Sequence, residues 1–203
     1  AARLKKLQFN SLEKRLPKHM QFGSEGVAEP GAKQVEMLVE ADWPETLMID
    51  GPVLIELLDD AVWVSLDGKT AHKKPVKEVN FSVWRALEMA TVVSYDVKAL
   101  YHALDAHDVS VRFIAAHDIR QGAFLIDPLQ RDRSVAALIG SETMNPLEIL
   151  AGLRDVYQYQ KGWFDNEPRV SEIAYGYDFP LTYTLFTIEK RGVKIDPKQF
   201  KKL

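Results

Sequence analysis

The chain has 203 residues, 46% of them hydrophobic, which suits one α/β domain with a substantial core. It contains no cysteine, which excludes disulfides and thiolate zinc sites, and 26 Lys+Arg against 29 Asp+Glu give a net charge of -3, without the basic excess by which nucleic-acid binders hold phosphates unaided. No apolar run reaches membrane-spanning length and no charged-then-apolar signal opens the chain, so a soluble cytoplasmic protein with no membrane partner is expected.

Residues 1–16 read as an amphipathic helix, with Leu4, Leu7, Leu12 and Leu16 to one side and Pro17 ending it. Gly23, Gly26, Pro30 and Gly31 mark a loop. Strands are expected at Val35–Glu40, Val53–Leu58 and Ala61–Leu66, the last two joined through Asp59-Asp60 as a tight hairpin and followed by an Asp67-Gly68 turn, an antiparallel three-strand start. The texture then changes. Phe81–Met89 has helical period, Thr91–Ser94 is a short buried strand, and Asp96 caps a helix running to about Ala106 on Leu100, Ala103 and Leu104. Val109–Ile114 alternates as a strand before a helix from about Asp118 to Ile126, stopped by Asp127-Pro128. Ser134–Gly140, Pro146–Tyr159 and Pro180–Arg191 are predicted helices, the last on Leu181, Leu185 and Ile188 with Gly192 stopping it. Asp196 and Pro197 then read as the start of another helix that the sequence does not finish, which points to a larger parent chain.

Three segments share a resemblance. Ile188-Glu-Lys-Arg-Gly-Val-Lys-Ile-Asp196 is similar to the Ile/Met-Glu-x-x-Gly-Val-x-Ile/Val-Asp signature by which bacterial family A DNA polymerases (DNA polymerase I) pass from the 3′–5′ exonuclease-like domain into the polymerase domain. Leu4–Leu16 resembles the segment leading into that exonuclease-like domain, and Tyr95-Asp-Val-Lys-Ala-Leu100 with Asp118–Pro128 resembles its core, so the resemblance spans most of the chain. It implies a ribonuclease H-like α/β fold, a mixed sheet flanked by helices, with residues 1–195 as the exonuclease-like domain and 196–203 as the start of a polymerase domain. The implied partners are the polymerase domain of the same parent chain and, weakly or indirectly, DNA. The order of predicted elements, antiparallel strands, then β-α-β-α, then helices, agrees with that fold.

Nucleases of this fold hold two divalent metals about 4 Å apart on carboxylates to activate water at a phosphodiester. The resemblance puts the first pair of acids at Glu40-Ala-Asp42, where the family has Asp-x-Glu. A strand end exposes polar residues for solvation as well. In the second family motif Asp96 falls at an Asn position and Leu100 at the metal-binding Asp, and leucine cannot bind magnesium. Asp96 also has a sufficient task as a helix N-cap. In the third motif Asp155 keeps an acid while Ala151 stands where the family has the Tyr that orients the attacking water. The resemblance therefore implies a degenerate site, with Glu40, Asp42, Asp96 and Asp155 as vestigial candidates, no cofactor, and a structural role beside the polymerase domain in DNA replication and repair. The alternative it leaves is an active 3′–5′ exonuclease on single-stranded DNA ends, using Mg2+ or Mn2+ on the same four acids.

Other constellations point elsewhere. His102-Ala-Leu-Asp-Ala-His-Asp108 has its second histidine at i+5, off the first one's helix face, and reads as a solvated helix end rather than zinc spacing. Trp163, Phe164, Tyr175, Tyr177 and Phe179 crowd one region; without interleaved basic residues, a core or domain interface is favoured over a platform for stacking single-stranded bases.

Overall fold

The computed structural model describes residues 36–143 and 145–194. The helix expected at 1–16, the start of the first strand at Val35 and the helix opening at Asp196 lie outside the described residues.

In chain order the elements are β1 (Val39–Ala41), β2 (Val53–Leu58), β3 (Ala61–Ser65), β4 (Thr70–Pro75), α1 (Phe81–Met89), β5 (Thr91–Ser94), α2 (Val97–Asp105), β6 (Ala115–Asp118), α3 (Ile119–Ile126), α4 (Val135–Ile139), α5 (Pro146–Asn166), α6 (Pro168–Ile173), a π-helical turn (Ala174–Asp178) and α7 (Phe179–Arg191). The strands form one mixed six-stranded sheet in the order β1-β4-β3-β2-β5-β6. Strands β2, β3 and β4 are an antiparallel meander, whereas β2, β5 and β6 run parallel, as does β1 against β4. A mixed sheet flanked by helices is consistent with the ribonuclease H-like fold expected.

The β2–β3 hairpin closes as its sequence requires. Asp59 and Asp60 take φ of 50° and 59°, the left-handed pair of a two-residue turn, and Leu58 faces Ala61. Gly68, at φ 69°, turns the chain into β4, and the Asp67 carboxylate accepts the backbone N–H groups of Lys69 and Thr70. Strand β4 itself has too little apolar alternation to be legible: Thr-Ala-His-Lys-Lys-Pro buries only Ala71.

Side-chain alternation divides the core between the two faces of the sheet. Val53, Ile55, Val62, Val64 and Val92 point to one face, covered by α1, α2 and Phe186 of α7; Leu54, Trp63, Ala71 and Val93 point to the other, covered by Leu150, Ala151 and Leu153 of α5. A third cluster, Phe164, Ala174 and Phe179, joins α5 to the π turn and α7.

The strand expected at Val109–Ile114 is displaced. The paired residues are Ala115–Asp118, with Thr91 facing Ala115 and Ser94 facing Asp118. Val111 and Phe113 are buried as expected, but their segment has other hydrogen-bond partners: Phe113 N–H donates to the Tyr101 hydroxyl, and the Arg112 and Ile114 N–H groups go to the side chain and backbone of Glu88. Helix α5 outruns its expected end at Tyr159, because Gln160 and Phe164 continue the buried stripe begun by Leu150 and Leu153.

Candidate functional site at the carboxyl ends of the parallel strands

The four acids named from the sequence are spread over the molecule. Glu40 is exposed on the edge strand β1, and Asp42 is exposed just beyond it, its carbonyl accepting a hydrogen bond from His72 Nδ1 at 2.7 Å. Asp96 follows β5, four strand spacings from β1, roughly 19 Å along the sheet. Asp155 lies on α5, where Arg154 Nε donates to it at 2.7 Å. Leu100 is 4% exposed within the core under α2, and Ala151 is fully buried against the other face of the sheet. Among the described residues no three His, Asp or Glu side chains are grouped to hold a metal ion.

A different set of polar groups does converge, where β2, β5 and β6 present their carboxyl ends, the edge at which parallel α/β sheets place their ligands. Glu56 comes from β2, Ser94, Tyr95 and Asp96 from the end of β5, and Asp118 from the end of β6. Glu56 Oε1 accepts from the Tyr95 N–H at 2.5 Å and the Ser94 hydroxyl at 3.0 Å. Asp118, 4% exposed, ties together two helix starts: Oδ2 accepts the Val97 N–H of α2 and Oδ1 the Gln121 N–H of α3, both at 2.8 Å. Asp96 caps α2 through the Ala99 N–H at 2.9 Å and pairs with Arg120 Nη1 at 2.7 Å. The helix N-termini supply the donors and partial positive charge that make these carboxylate positions favourable.

The electrostatics favour protons on two of these acids. Burial pushes the Glu56 carboxyl up to about 7, with Asp118 and Asp96 adding to the rise and the Tyr95 and Ser94 hydrogen bonds opposing it. Burial likewise raises Asp118 to about 7 against its two backbone hydrogen bonds. A cation bound here would have to draw Asp118 from the Val97 and Gln121 N–H groups and Asp96 from Ala99 and Arg120. The donor set is turned inward, toward the chain's own backbone, and does not fit a bridged cation pair.

Beside Asp118 sits His117, with no exposed surface. Its Nε2 is 2.8 Å from Gln160 Oε1 and its Nδ1 2.9 Å from the Tyr175 hydroxyl, while Gln160 Nε2 donates to the Ile119 carbonyl at 2.9 Å. Phe164, Tyr175 and Phe179 of the carboxyl-end aromatic group, joined by Tyr157, pack their rings around the imidazole. Burial lowers the His117 pKa to about 4.

Glu56, His117, Arg120 and Gln160 were not among the site residues expected from the sequence, and Asp118 was expected only as a helix start and as the first residue of the segment that resembles the family core. Two signals were present: Glu56 is the lone charge in Val-Leu-Ile-Glu-Leu-Leu, and His117-Asp118 is a polar pair ending a short strand immediately before a helix. The His102–Asp108 group is dispersed, with His102 on Glu189, Asp105 on Lys190 and His107 on Asp60.

No protein-family model matches the chain, and no curated protein matches it. Among solved structures it is similar to the POL domain of Pol1 from M. smegmatis in complex with a DNA primer-template and dNTP, with a TM-score of 0.59 at 12% sequence identity. The match covers 76% of this chain and 31% of that one, so the chain spans about a third of the structure it resembles, and the likeness is one of fold.

Proposed function

We propose that this chain is the 3′–5′ exonuclease-like domain of a DNA polymerase I, inactive as a nuclease, that serves as a structural element beside the polymerase domain in DNA replication and repair. Support comes from the sequence resemblance in family order and from a fold shared with a Pol1 structure. The observation that carries the reading is the commitment of Asp96 and Asp118: each spends both carboxylate oxygens on helix N–H groups or Arg120. Carboxylates held this way stabilise helix starts, and an ion that activates water would have to compete with those donors for them.

The structural role rests on α7 and the turn before it. Tyr177, Leu181, Leu185 and Ile188 recur at spacings of four, four and three and are 68%, 46%, 40% and 57% exposed, an apolar stripe of the kind that marks a packing surface. The resemblance places the polymerase domain directly after this helix, which makes that domain the natural occupant of the stripe.

The test is a 3′-end trimming assay on labelled single-stranded DNA with Mg2+ and with Mn2+, joined to a thermal melt across a Mn2+ titration. No trimming above background and no metal-dependent gain in Tm are expected, since a site that bound the ion in the folded state would raise stability by mass action. Trimming that disappears in Glu40→Ala or Asp96→Ala would overturn the reading in favour of the metal-dependent exonuclease.

A further inference from the structure

Between α3 and α5 the chain passes Tyr95, at the carboxyl end of β5, while burying little of itself. No described residue from Phe124 to Ile149 is buried, whereas Gly122 and Ala123 before them and Leu150 and Ala151 after them are. Asp127-Pro128 ends α3 and Asn145-Pro146 opens α5, so the stretch 127–145 starts and finishes at helix termini, where a few dihedrals can absorb a movement.

The stretch satisfies much of its backbone internally. Gln130 N–H donates to the Asp127 carbonyl at 3.2 Å, and Arg133 Nη2 to the Asp127 and Pro128 carbonyls at 3.3 and 3.0 Å. Ser134 N–H donates to the Asp132 carboxylate at 2.9 Å, and the Leu138 and Gly140 N–H groups to the Ser134 and Ala136 carbonyls at 3.0 and 2.9 Å. These bonds survive if the stretch lifts away as a body. Its attachments lie elsewhere: the Tyr95 hydroxyl donates to the Arg133 carbonyl at 2.7 Å, and the Arg133 guanidinium lies 5.0 Å from the Phe124 ring centroid. Leu138 and Ile139 pack on the cluster of Ile119 and Leu150, and the Ser141 hydroxyl donates to Glu148 at 2.8 Å. A segment with few buried contacts and its own hydrogen bonds belongs to the low-stability end of a fold.

Tyr95 links the stretch to the acidic junction. Its N–H donates to Glu56 at 2.5 Å, its carbonyl accepts the Arg120 N–H at 2.9 Å, and its hydroxyl is spent on Arg133. We propose that residues 127–145 are a hinged strap that opens and closes as one unit beside the acidic junction, with the Tyr95 hydroxyl as its clasp. The strap goes beyond the function proposed above, because it requires only this geometry and not the loss of a metal site.

The experiment is residue-resolved amide hydrogen exchange on the 203-residue chain, with Gln130, Ser134, Leu138 and Gly140 as reporters. The reporters are expected to share one opening constant within about twofold, with protection at least about a hundredfold below that of Leu153 in α5. Tyr95→Phe keeps the ring and removes only the clasp, and it should speed exchange at every reporter by a common factor of about three to ten, the range for one lost hydrogen bond. Ile139→Ala loosens the far end, and it should carry Gln130 and Ser134 along with Leu138 and Gly140. Protection in the strap equal to that of α5, no change in Tyr95→Phe, or a response confined to the reporters nearest each substitution would overturn the proposal.

Discussion

Gln160 fixes the tautomer of His117. The Gln160 amide nitrogen donates to the Ile119 carbonyl at 2.9 Å, so the oxygen must face the imidazole, and the ring carries its proton on Nε2, 2.8 Å away. The Nδ1 lone pair is then left to accept the Tyr175 hydroxyl at 2.9 Å. This buried chain joins β6, α3, α5 and the π turn, and it is complete only with a neutral imidazole.

Acidification should therefore weaken the fold through His117. Its pKa drops from 6.5 to about 4 on folding, so between those values the unfolded chain takes up a proton that the folded chain refuses. The stabilisation is whole above about pH 6.5 and is lost as pH falls through 4. Urea denaturation at pH 7 and pH 5 measures it: His117→Asn should start less stable at pH 7, by about 1–3 kcal/mol for the partners left unpaired, and lose less on acidification.

Gly122 is required by the same chain. A Cβ at that position would lie 2.5 Å from Gln160 Oε1 and 3.0 Å from its Cδ, so Gly122→Ala must push the amide off His117. A loss of about 1–3 kcal/mol is expected in spite of alanine's better helix propensity. In a Gln160→Ala background the obstacle is gone, and Gly122→Ala should become neutral or stabilising. Additive effects in that double-mutant cycle would show that the contact is not the cause.

The split between what the sequence disclosed and what it hid follows from the range of the interactions. Helices announced by local chemistry were legible: Asp96 capping α2, the start of α4 after Ser134 and the opening of α5 at Pro146 each rest on signals that act over two or three residues. The hairpin at Asp59-Asp60 was legible for the same reason. Strand β4 was hidden because an edge-side strand of Thr, His and Lys gains its place from β3 and β1, not from its own pattern. The acidic junction was hidden more deeply, since Glu56 meets Tyr95 across 39 residues and Val97 meets Asp118 across 21. Glu40, exposed on β1, and Asp155, held by Arg154 on α5, lie in surroundings that differ from those of the acids that the sheet gathers.

Glu56→Gln and Asp118→Asn should part company despite their similar acidity. Both carboxyls have pKa values raised to about 7, so the folded chain holds protons that the unfolded chain releases above about pH 4. That contribution is present at acid pH and is lost as pH rises through 7. Glu56→Gln keeps the oxygen that accepts Tyr95 N–H and Ser94 and removes the charge, so stability should be unchanged near pH 4 and higher than the parent's at pH 8, by about 1–3 kcal/mol. Asp118 uses both oxygens for backbone N–H groups; Asn offers one oxygen and sets its NH₂ against a donor. Asp118→Asn should cost about 1–2 kcal/mol at pH 8, when the parent carboxylate serves both helix starts. Thermal melts at the two pH values distinguish these outcomes.

Gly152 sets how closely α4 approaches α5. A Cβ there would stand 2.6 Å from Ile139 Cβ and 2.8 Å from its Cγ2, and both helices meet at these positions through atoms that backbone geometry fixes. Side-chain rotation cannot relieve a contact with a Cβ, so the helices must part. Gly152→Ala should cost about 1–3 kcal/mol, and Gly152→Val more. Ile139→Ala should restore part of the loss in the Gly152→Ala background, because it removes Cγ2 and Cδ1 but leaves the 2.6 Å contact with Cβ in place. Full restoration in that double variant would mean that the branched end of Ile139, and not the separation of the two backbones, governs the packing.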